Sequence, residues 1–353
     1  MKNLKSGNWK VQVLWIVVAI ALSLIPGSPE EVFAFIRYRD KYCSEDTSES
    51  TYCNFSVLRT LEGHPTASAI VISADGQTLI SGGQDKTIKI WELQTGELKK
   101  TLRSDSGAIN ALAIAPDGKT VVTGSGDRIV RIWDLTSDRP PQILKGHSGR
   151  VTNVDISSDG KTIISVDHGM EAEIKVWDMA TGKQKAALPS FYFDDISLDG
   201  KTVIFTSGNN NKLIAWDVAT NQQQVLQKSF HPWRLVRISL DGQRLVSTKR
   251  TGKRSFEVQV SDLKTGQITA KERFNRRIFK PSSIALSRDV LIGNTKKWLT
   301  VWNLQTAEIE AILDEQQIKQ MNNLVVSPDG KILAGIITDS NSSNRKIQVL
   351  QRP

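Results

Sequence analysis

From Leu58 onward, apolar and polar positions alternate in short runs. Ile88 and Ile90 in TIKIW, Val130 and Ile132 in IVRIW, and Ile174 and Val176 in EIKVW are each separated by a charged residue. This is the two-residue period of a strand with one buried face. An Asp-Gly pair punctuates the runs at 75–76, 117–118, 159–160, 199–200, 241–242 and 329–330. Asp-Gly between alternating apolar runs marks a tight hairpin, because the turn requires positive φ. The spacings are 42, 42, 40, 42 and 88 residues. The last gap is close to twice the others, and its midpoint holds Ser287-Arg288-Asp289 in LSRDVLIG, so the chain contains seven units. A repeat of about 40 residues built from short strands predicts a radial or solenoid array rather than independent domains.

A second marker follows each turn: Trp91-Glu92, Trp133-Asp134, Trp177-Asp178, Trp216-Asp217 and Trp302-Asn303. Unit five has Val260-Ser261-Asp262 at that place and unit seven has Val349-Leu350. With Gly63-His64, SADG, SGGQD and IWE in unit one, and SGDRIVRIWD and KGHSGRVTNVDISSDG in units two and three, residues 55–353 resemble WD repeats. Units four to seven depart from the pattern in the Gly-His, the Trp or both. The resemblance implies an all-β, seven-bladed propeller with four strands per blade. Mapped onto unit one, the strands are Ala69–Ile72, Thr78–Ser81, Thr87–Trp91 and Leu98–Leu102. Lys346–Gln351 then matches a third strand, which leaves the last blade one strand short. Phe55–Leu61 is expected to complete it and so close the ring.

The same resemblance implies a buried hydrogen-bond chain in each blade. Its members in unit one are His64, Ser81, Asp85 and Trp91. Unit two offers Thr123, Asp127 and Trp133 without a His. Unit three offers His147, Ser165 and Trp177, with Glu171 in the Asp place. Unit four offers Thr206, Asn210 and Trp216.

The first 34 residues read differently. Lys2, Lys5 and Lys10 precede the apolar run Val11–Ile25, which ends at Pro26-Gly27. Two readings stay open: a signal peptide cut after Ala34, or an uncleaved signal anchor. Both place the rest of the chain outside the cytoplasm, periplasmic or secreted in the first case and membrane-anchored in the second. Residues 35–54 form a polar linker in which Cys43 and Cys53 are expected to pair if the chain is exported.

Charge sharpens the picture. The chain of 353 residues has a formal net charge of +9. Residues 228–300 carry 17 Lys or Arg against 5 Asp or Glu, so the excess lies in units five and six. It clusters in Lys249, Arg250, Lys253 and Arg254, then Arg273, Arg276 and Arg277, then Lys296 and Lys297. Trp233-Arg234 leads into the same units. In a propeller the second-to-third-strand loops and the blade-to-blade connections share one face, so these segments should meet over two adjacent blades. A basic patch with aromatic neighbours suits a protein partner with an acidic segment, or an anionic membrane surface. Export disfavours nucleic acid.

Catalytic signals are sparse. Of four histidines, His64 and His147 fill the Gly-His place, His231 lies near it in unit five, and His168 sits in a turn. No metal-ligand spacing, phosphate loop or nucleophile elbow occurs, and no cofactor or small-molecule substrate is indicated. The residues therefore favour a non-catalytic interaction scaffold. The alternatives are an enzyme with a hydrolase or lyase site in the central channel mouth, or a structural module of an envelope assembly.

Overall fold

The structure, a computed structural model, describes residues 54–353 apart from 170–171, 190–191, 197–201, 208–211, 228–235, 240–242, 252–254, 276–282, 288, 295–297, 306–308, 315–320 and 339–343. The apolar N-terminal run, the linker and the pair Cys43 and Cys53 lie outside the described residues. Among the described residues no helix is long and apolar enough to cross a membrane.

Every regular element described is a strand. After β1 (Ser56–Leu61), blade one holds β2 (Ala67–Ile72), β3 (Thr78–Gly83), β4 (Thr87–Glu92) and β5 (Leu98–Arg103). Blade two holds β6 (Ile109–Ile114), β7 (Thr120–Ser125), β8 (Val130–Asp134) and β9 (Gln142–Leu144). Blade three holds β10 (Arg150–Ile156), β11 (Thr162–His168), β12 (Glu173–Asp178) and β13 (Gln184–Pro189). Blade four holds β14 (Tyr192–Ile196), β15 (Thr202–Ser207), β16 (Lys212–Asp217) and β17 (Gln222–Gln227). Blade five holds β18 (Val236–Ile238), β19 (Arg244–Arg250), β20 (Ser255–Asp262) and β21 (Ile268–Asn275). Blade six holds β22 (Ser283–Leu286), β23 (Val290–Asn294), β24 (Trp298–Asn303) and β25 (Ile309–Asp314). Blade seven holds β26 (Met321–Val326), β27 (Ile332–Thr338) and β28 (Arg345–Gln351).

Each blade is an antiparallel meander of four strands in sequence order, except the seventh. There the order is β26-β27-β28-β1, so the first strand of the fold completes the last sheet, as the resemblance to WD repeats implied. Arg59 lies opposite Val349, Thr60 opposite Gln348 and Leu61 opposite Ile347. The first strands β2 and β6, β6 and β10, β14 and β18, and β22 and β26 pack against one another, and β26 packs on β2, which closes the ring.

The hairpin turns follow the local chemistry of the SxDG text. In the turn after β2, Thr78 N donates to Ser73 Oγ at 2.9 Å and Gln77 N donates to Asp75 Oδ1 at 2.9 Å. Gly76 sits at φ 70°, where an L side chain would be strained. The arrangement recurs at Ser157-Asp159 and Ser327-Asp329. Blade two has Ala115 in place of the Ser. There Asp117 takes over, accepting from the backbone of Lys119 at 2.7 Å and Thr120 at 3.0 Å.

Among the described residues there is no common core. Seven apolar clusters lie between neighbouring blades. The repeated Trp faces the preceding blade: Trp91 packs with Leu61, Ile336 and Ile347 of the closing sheet, Trp133 with Ile80 and Ile88, and Trp177 with Val122 and Val130. Side chains also stitch the innermost strands. Asn323 Nδ2 donates to Ser68 O, Ser68 Oγ donates to Ile109 O at 2.6 Å, and Asn110 Nδ2 donates to Val151 O at 3.0 Å. Each of these residues lies at a register shift in its strand, which turns its side chain toward the next blade.

Candidate functional site

The buried networks come first, since they set what the blades can present. In blade one, Trp91 Nε1 donates to Ser81 Oγ at 2.9 Å and Ser81 Oγ lies 2.7 Å from His64 Nδ1. His64 Nε2 faces Asp85 Oδ1 at 3.3 Å and Thr87 Oγ1 at 3.2 Å. Asp85 can only accept, so the network places the proton on Nε2 and lets Nδ1 accept from Ser81. Gly83 is required by proximity: a Cβ there would stand 2.3 Å from His64 Nε2.

Blade two solves the missing His with an arginine. Arg131 Nη2 reaches Asp127 Oδ2 at 2.6 Å and Nη1 reaches Oδ1 at 3.2 Å, while Trp133 Nε1 donates to Thr123 Oγ1 at 2.9 Å. Burial opposes ionisation of Asp127, but the Arg131 and Ser106 hydrogen bonds outweigh it and hold the carboxyl below its usual range. The signal in the text is Arg131 itself, a guanidinium in a strand that reads IVRIW.

Blade three adds an acid that the sequence reading did not name. Glu171 lies outside the described residues, and the acid of the network is Asp167, on β11. Its Oδ2 is 3.3 Å from His147 Nδ1, and both side chains are fully buried. His147 Nε2 lies 2.6 Å from Ser165 Oγ, which also accepts from Trp177 Nε1 at 2.7 Å. Compared with blade one, the opposite ring nitrogen faces the serine. The reason is position: Asp167 stands two residues beyond Ser165 on one strand, whereas Asp85 stands four beyond Ser81 in the turn. Asp167 also accepts from the backbone of Glu173 at 2.7 Å and Gly149 at 2.9 Å.

Blade four departs as well. Trp216 Nε1 donates to Asn221 Oδ1 at 3.0 Å. Val203 is opposite Trp216, so the register position equivalent to Ser81 is Phe205 rather than Thr206. Asn221 occupies the turn at φ 56°, where asparagine is among the residues that tolerate a left-handed backbone. Asn210 lies outside the described residues.

These networks predict a pH response. Burial lowers the affinity of His64 and His147 for a proton below the ordinary 6.5, although Asp85 and Asp167 pull the other way. The unfolded chain therefore binds more protons than the folded one below pH 6.5, and stability falls as pH drops. The melting midpoint should hold from pH 8 to 7 and decline from about 6.5 downward. A His64→Asn, His147→Asn double variant should melt lower overall but with a flatter profile between 7 and 5.5. Calorimetry that showed equal slopes would refute the assignment.

Of the clustered basic residues, Lys249, Arg250 and Arg273 lie on described strands, all in blade five. β19 ends at Lys249 and Arg250, whose register partners are Glu257 and Phe256, and Ser255 is opposite Asn275. The end of β19, the start of β20 and the end of β21 therefore share one edge of the blade. Arg273 is described to its tip. Its Nε lies 3.0 Å from Glu257 Oε2, with the arginine exposed and the glutamate buried. Burial works against ionisation of Glu257, but Gln259 and Arg273 outweigh it and lower its pKa. Trp233, Arg234, Lys253, Arg254, Arg276, Arg277, Lys296 and Lys297 lie outside the described residues. Among the described residues, no group of three or more His, Cys, Asp or Glu side chains is placed to hold a metal ion.

The family model described as "WD domain, G-beta repeat" matches residues 55–92, 96–134 and 138–178. Residues 55–178 of this chain carry WD40 repeats. Each matched span runs from one outer strand through the first three strands of the next blade, so the repeat unit and the blade are offset by one strand. The solved structures similar to it include U3-55K (16% identity, TM-score 0.65), covering 86% of this chain and 99% of that one. The RRP9 WD40 repeats give the same identity, TM-score and coverage. The Myceliophteria thermophila Cps50 (Swd1) β-propeller domain is 14% identical with a TM-score of 0.66, covering 85% of this chain and all of that one. At these identities the likeness is one of fold. Among curated proteins, "Mitochondrial division protein 1" of Kluyveromyces lactis is 35% identical over 63 residues. "Zinc finger CCCH domain-containing protein 59" of Arabidopsis thaliana is 41% identical over 49 residues. The matches span 18% and 14% of this chain, and only 9% and 10% of those proteins. WD40 propellers are typically non-catalytic platforms for protein partners.

Proposed function

We propose that this chain is a non-catalytic protein-interaction scaffold, exported or held at a membrane by its N-terminal segment. Its partner presents an acidic segment to the basic segments of units five and six, starting from the blade-five edge where β19, β20 and β21 meet. The observation that carries this reading is the local excess of 12 positive charges within residues 228–300, against a net +9 for the whole chain. Net charge concentrated on one sector steers an oppositely charged partner and makes the association salt-dependent.

Changing Arg250, Lys253, Arg254, Arg276 and Arg277 to Glu should remove binding to a polyglutamate peptide and to the native partner in an envelope pull-down. Circular dichroism should remain that of the parent. An unchanged partner list would sink the basic-patch reading. Phosphatidylserine vesicles separate the membrane alternative, since they would bind with no protein partner present. A reporter fused after Pro353 tests export, and a cytoplasmic readout would overturn it.

A further inference from the structure

A different surface is left open on blade four. The outer strand of every blade has an unpaired edge, and exposed edges invite pairing with other chains unless charge, proline, bulges or brevity blunt them. Five outer strands carry charge: β1 has Arg59, β5 has Lys99, Lys100 and Arg103, β13 has Lys185 as well as Pro189, β21 has Lys271, Glu272 and Arg273, and β25 has Glu310 and Asp314. β9 is three residues long and follows Pro140-Pro141. β17, QQQVLQ, has neither charge nor proline over six residues. Gln222, Gln223, Gln224 and Val225 are all exposed.

The register adds an independent observation. In blades one, three, five and six the outer strand is bulged beside the Trp position, with shifts at Ile90/Trp91, Val176/Trp177, Val260/Ser261 and Val301/Trp302. In blade four Asp217, Trp216, Ala215 and Ile214 pair in unbroken succession with Gln222, Gln223, Gln224 and Val225, and the shift comes only after them. The four-residue edge is therefore straight where its neighbours are kinked.

A groove runs beside that edge. Between blades four and five lies a cavity of about 650 Å³, lined by Gln222, Gln223, Gln224, Asp217, Asp262 and Lys264 among others. Its cause is legible in the repeat. Blade five has Ser261 where blades one to four and six carry the interface Trp, and blade four has Ala215 where blades one, two and three have Ile90, Ile132 and Val176. The apolar cluster between these two blades accordingly contains no Trp. Gln224 Nε2 reaches across to Lys264 O at 3.3 Å and ties the two walls together. The walls contribute two carboxylates against one ammonium in a chain that is basic overall. Asp262 accepts from Thr265 N at 2.7 Å, and such contacts keep its carboxyl ionised by lowering its pKa.

We infer that β17 and the groove beside it bind an extended, basic peptide segment of a partner protein, which adds as a fifth strand to blade four and turns a Lys or Arg toward Asp217 and Asp262. Strand addition draws affinity from main-chain hydrogen bonds and specificity from the pockets that take alternate side chains. This surface lies at the opposite strand ends from the blade-five edge formed by Arg250, Ser255 and Asn275, so either assignment can fail without the other.

The test uses the full chain and a labelled octapeptide, Thr-Val-Thr-Lys-Val-Thr-Val-Thr, followed by fluorescence anisotropy. Saturable binding is expected, weakened at least tenfold when alternate peptide nitrogens are methylated and about fivefold when Glu replaces the Lys. Val225→Lys should weaken it similarly, and Ser261→Trp should do so by filling the groove. Each variant is first checked for an unchanged melting transition, and Gln223→Lys stands in for any that melts early. No binding at 1 mM, equal binding of the methylated peptide, or indifference to both edge variants would each overturn the inference. So would a dimer by light scattering that Val225→Lys converts to monomer, since the edge would then belong to a second copy of this chain.

Discussion

Removing residues 54–62 is expected to leave a chain that does not fold cooperatively. The deletion takes away β1, the outer strand of the seventh sheet. Phe55 and Leu61 are each 4% exposed, so two apolar side chains lose their burial at about 1.5–3 kcal/mol each. The ladder from Ser56–Gln351 to Leu61–Ile347 is lost with them. A domain is stable by only about 5–15 kcal/mol, so this is a large fraction of the whole. The loss also bares the edge of β28, whose Ile347, Val349 and Leu350 are buried, and an apolar open edge invites aggregation. Urea unfolding and light scattering of the shortened chain give the measurement. A synthetic peptide of residues 54–62 added in trans should restore part of the transition. A soluble shortened chain with the parent's midpoint would show that closure contributes little.

Asp167→Ala is expected to be the most damaging single change in the buried networks. It strands the backbone N–H groups of Gly149 and Glu173, which donate to this carboxylate at 2.9 and 2.7 Å, and it leaves His147 Nδ1 without its acidic neighbour. Removing one member of a buried charged network costs about 3–5 kcal/mol. Asp85→Ala in blade one should cost less, because its carboxylate is about one third exposed and water can replace part of what it accepts. Calorimetry on the two variants gives the ranking, and an equal or reversed order would contradict the geometry. The loss should also depend on pH. Burial opposes ionisation of Asp167, but the two backbone donors and His147 outweigh it, so its folded pKa lies below the ordinary 3.8. Its contribution is present above that value and vanishes as pH falls through the folded pKa. The variant and the parent should therefore converge in strong acid.

The sequence shows the unit count by spacing alone, and the ring closure follows from the four strands per blade that the resemblance to WD repeats implies. Asp-Gly turns and the repeated Trp give a period that seven units satisfy, and the missing last strand points back to Phe55–Leu61. Strand limits in unit one agree within two residues with those observed. The networks are less legible because they depend on register across turns of unequal length. Counting past the turn after β11 leads to Glu171, yet Asp167 is already in reach on the strand itself. The same difficulty puts Thr206 where Phe205 stands and conceals Asn221 as the acceptor for Trp216. Arg131 was readable as a charged residue in a strand, but not as the substitute for an absent His. The groove at blade four is visible only when Ala215 and Ser261 are brought to one interface, which no local pattern reveals.

The closure of the seventh sheet also imposes an order in time. Ser56 and Gln351 are hydrogen-bonded across 295 residues of sequence. At about 5–20 residues per second, a ribosome needs roughly 15–60 s to make the partner that β1 awaits. During that interval six sheets can form from consecutive strands, while the earliest strand stays unclaimed. Ring closure is thus the last event and requires the far end of the chain. A prematurely terminated product could assemble most of its blades and still never lock.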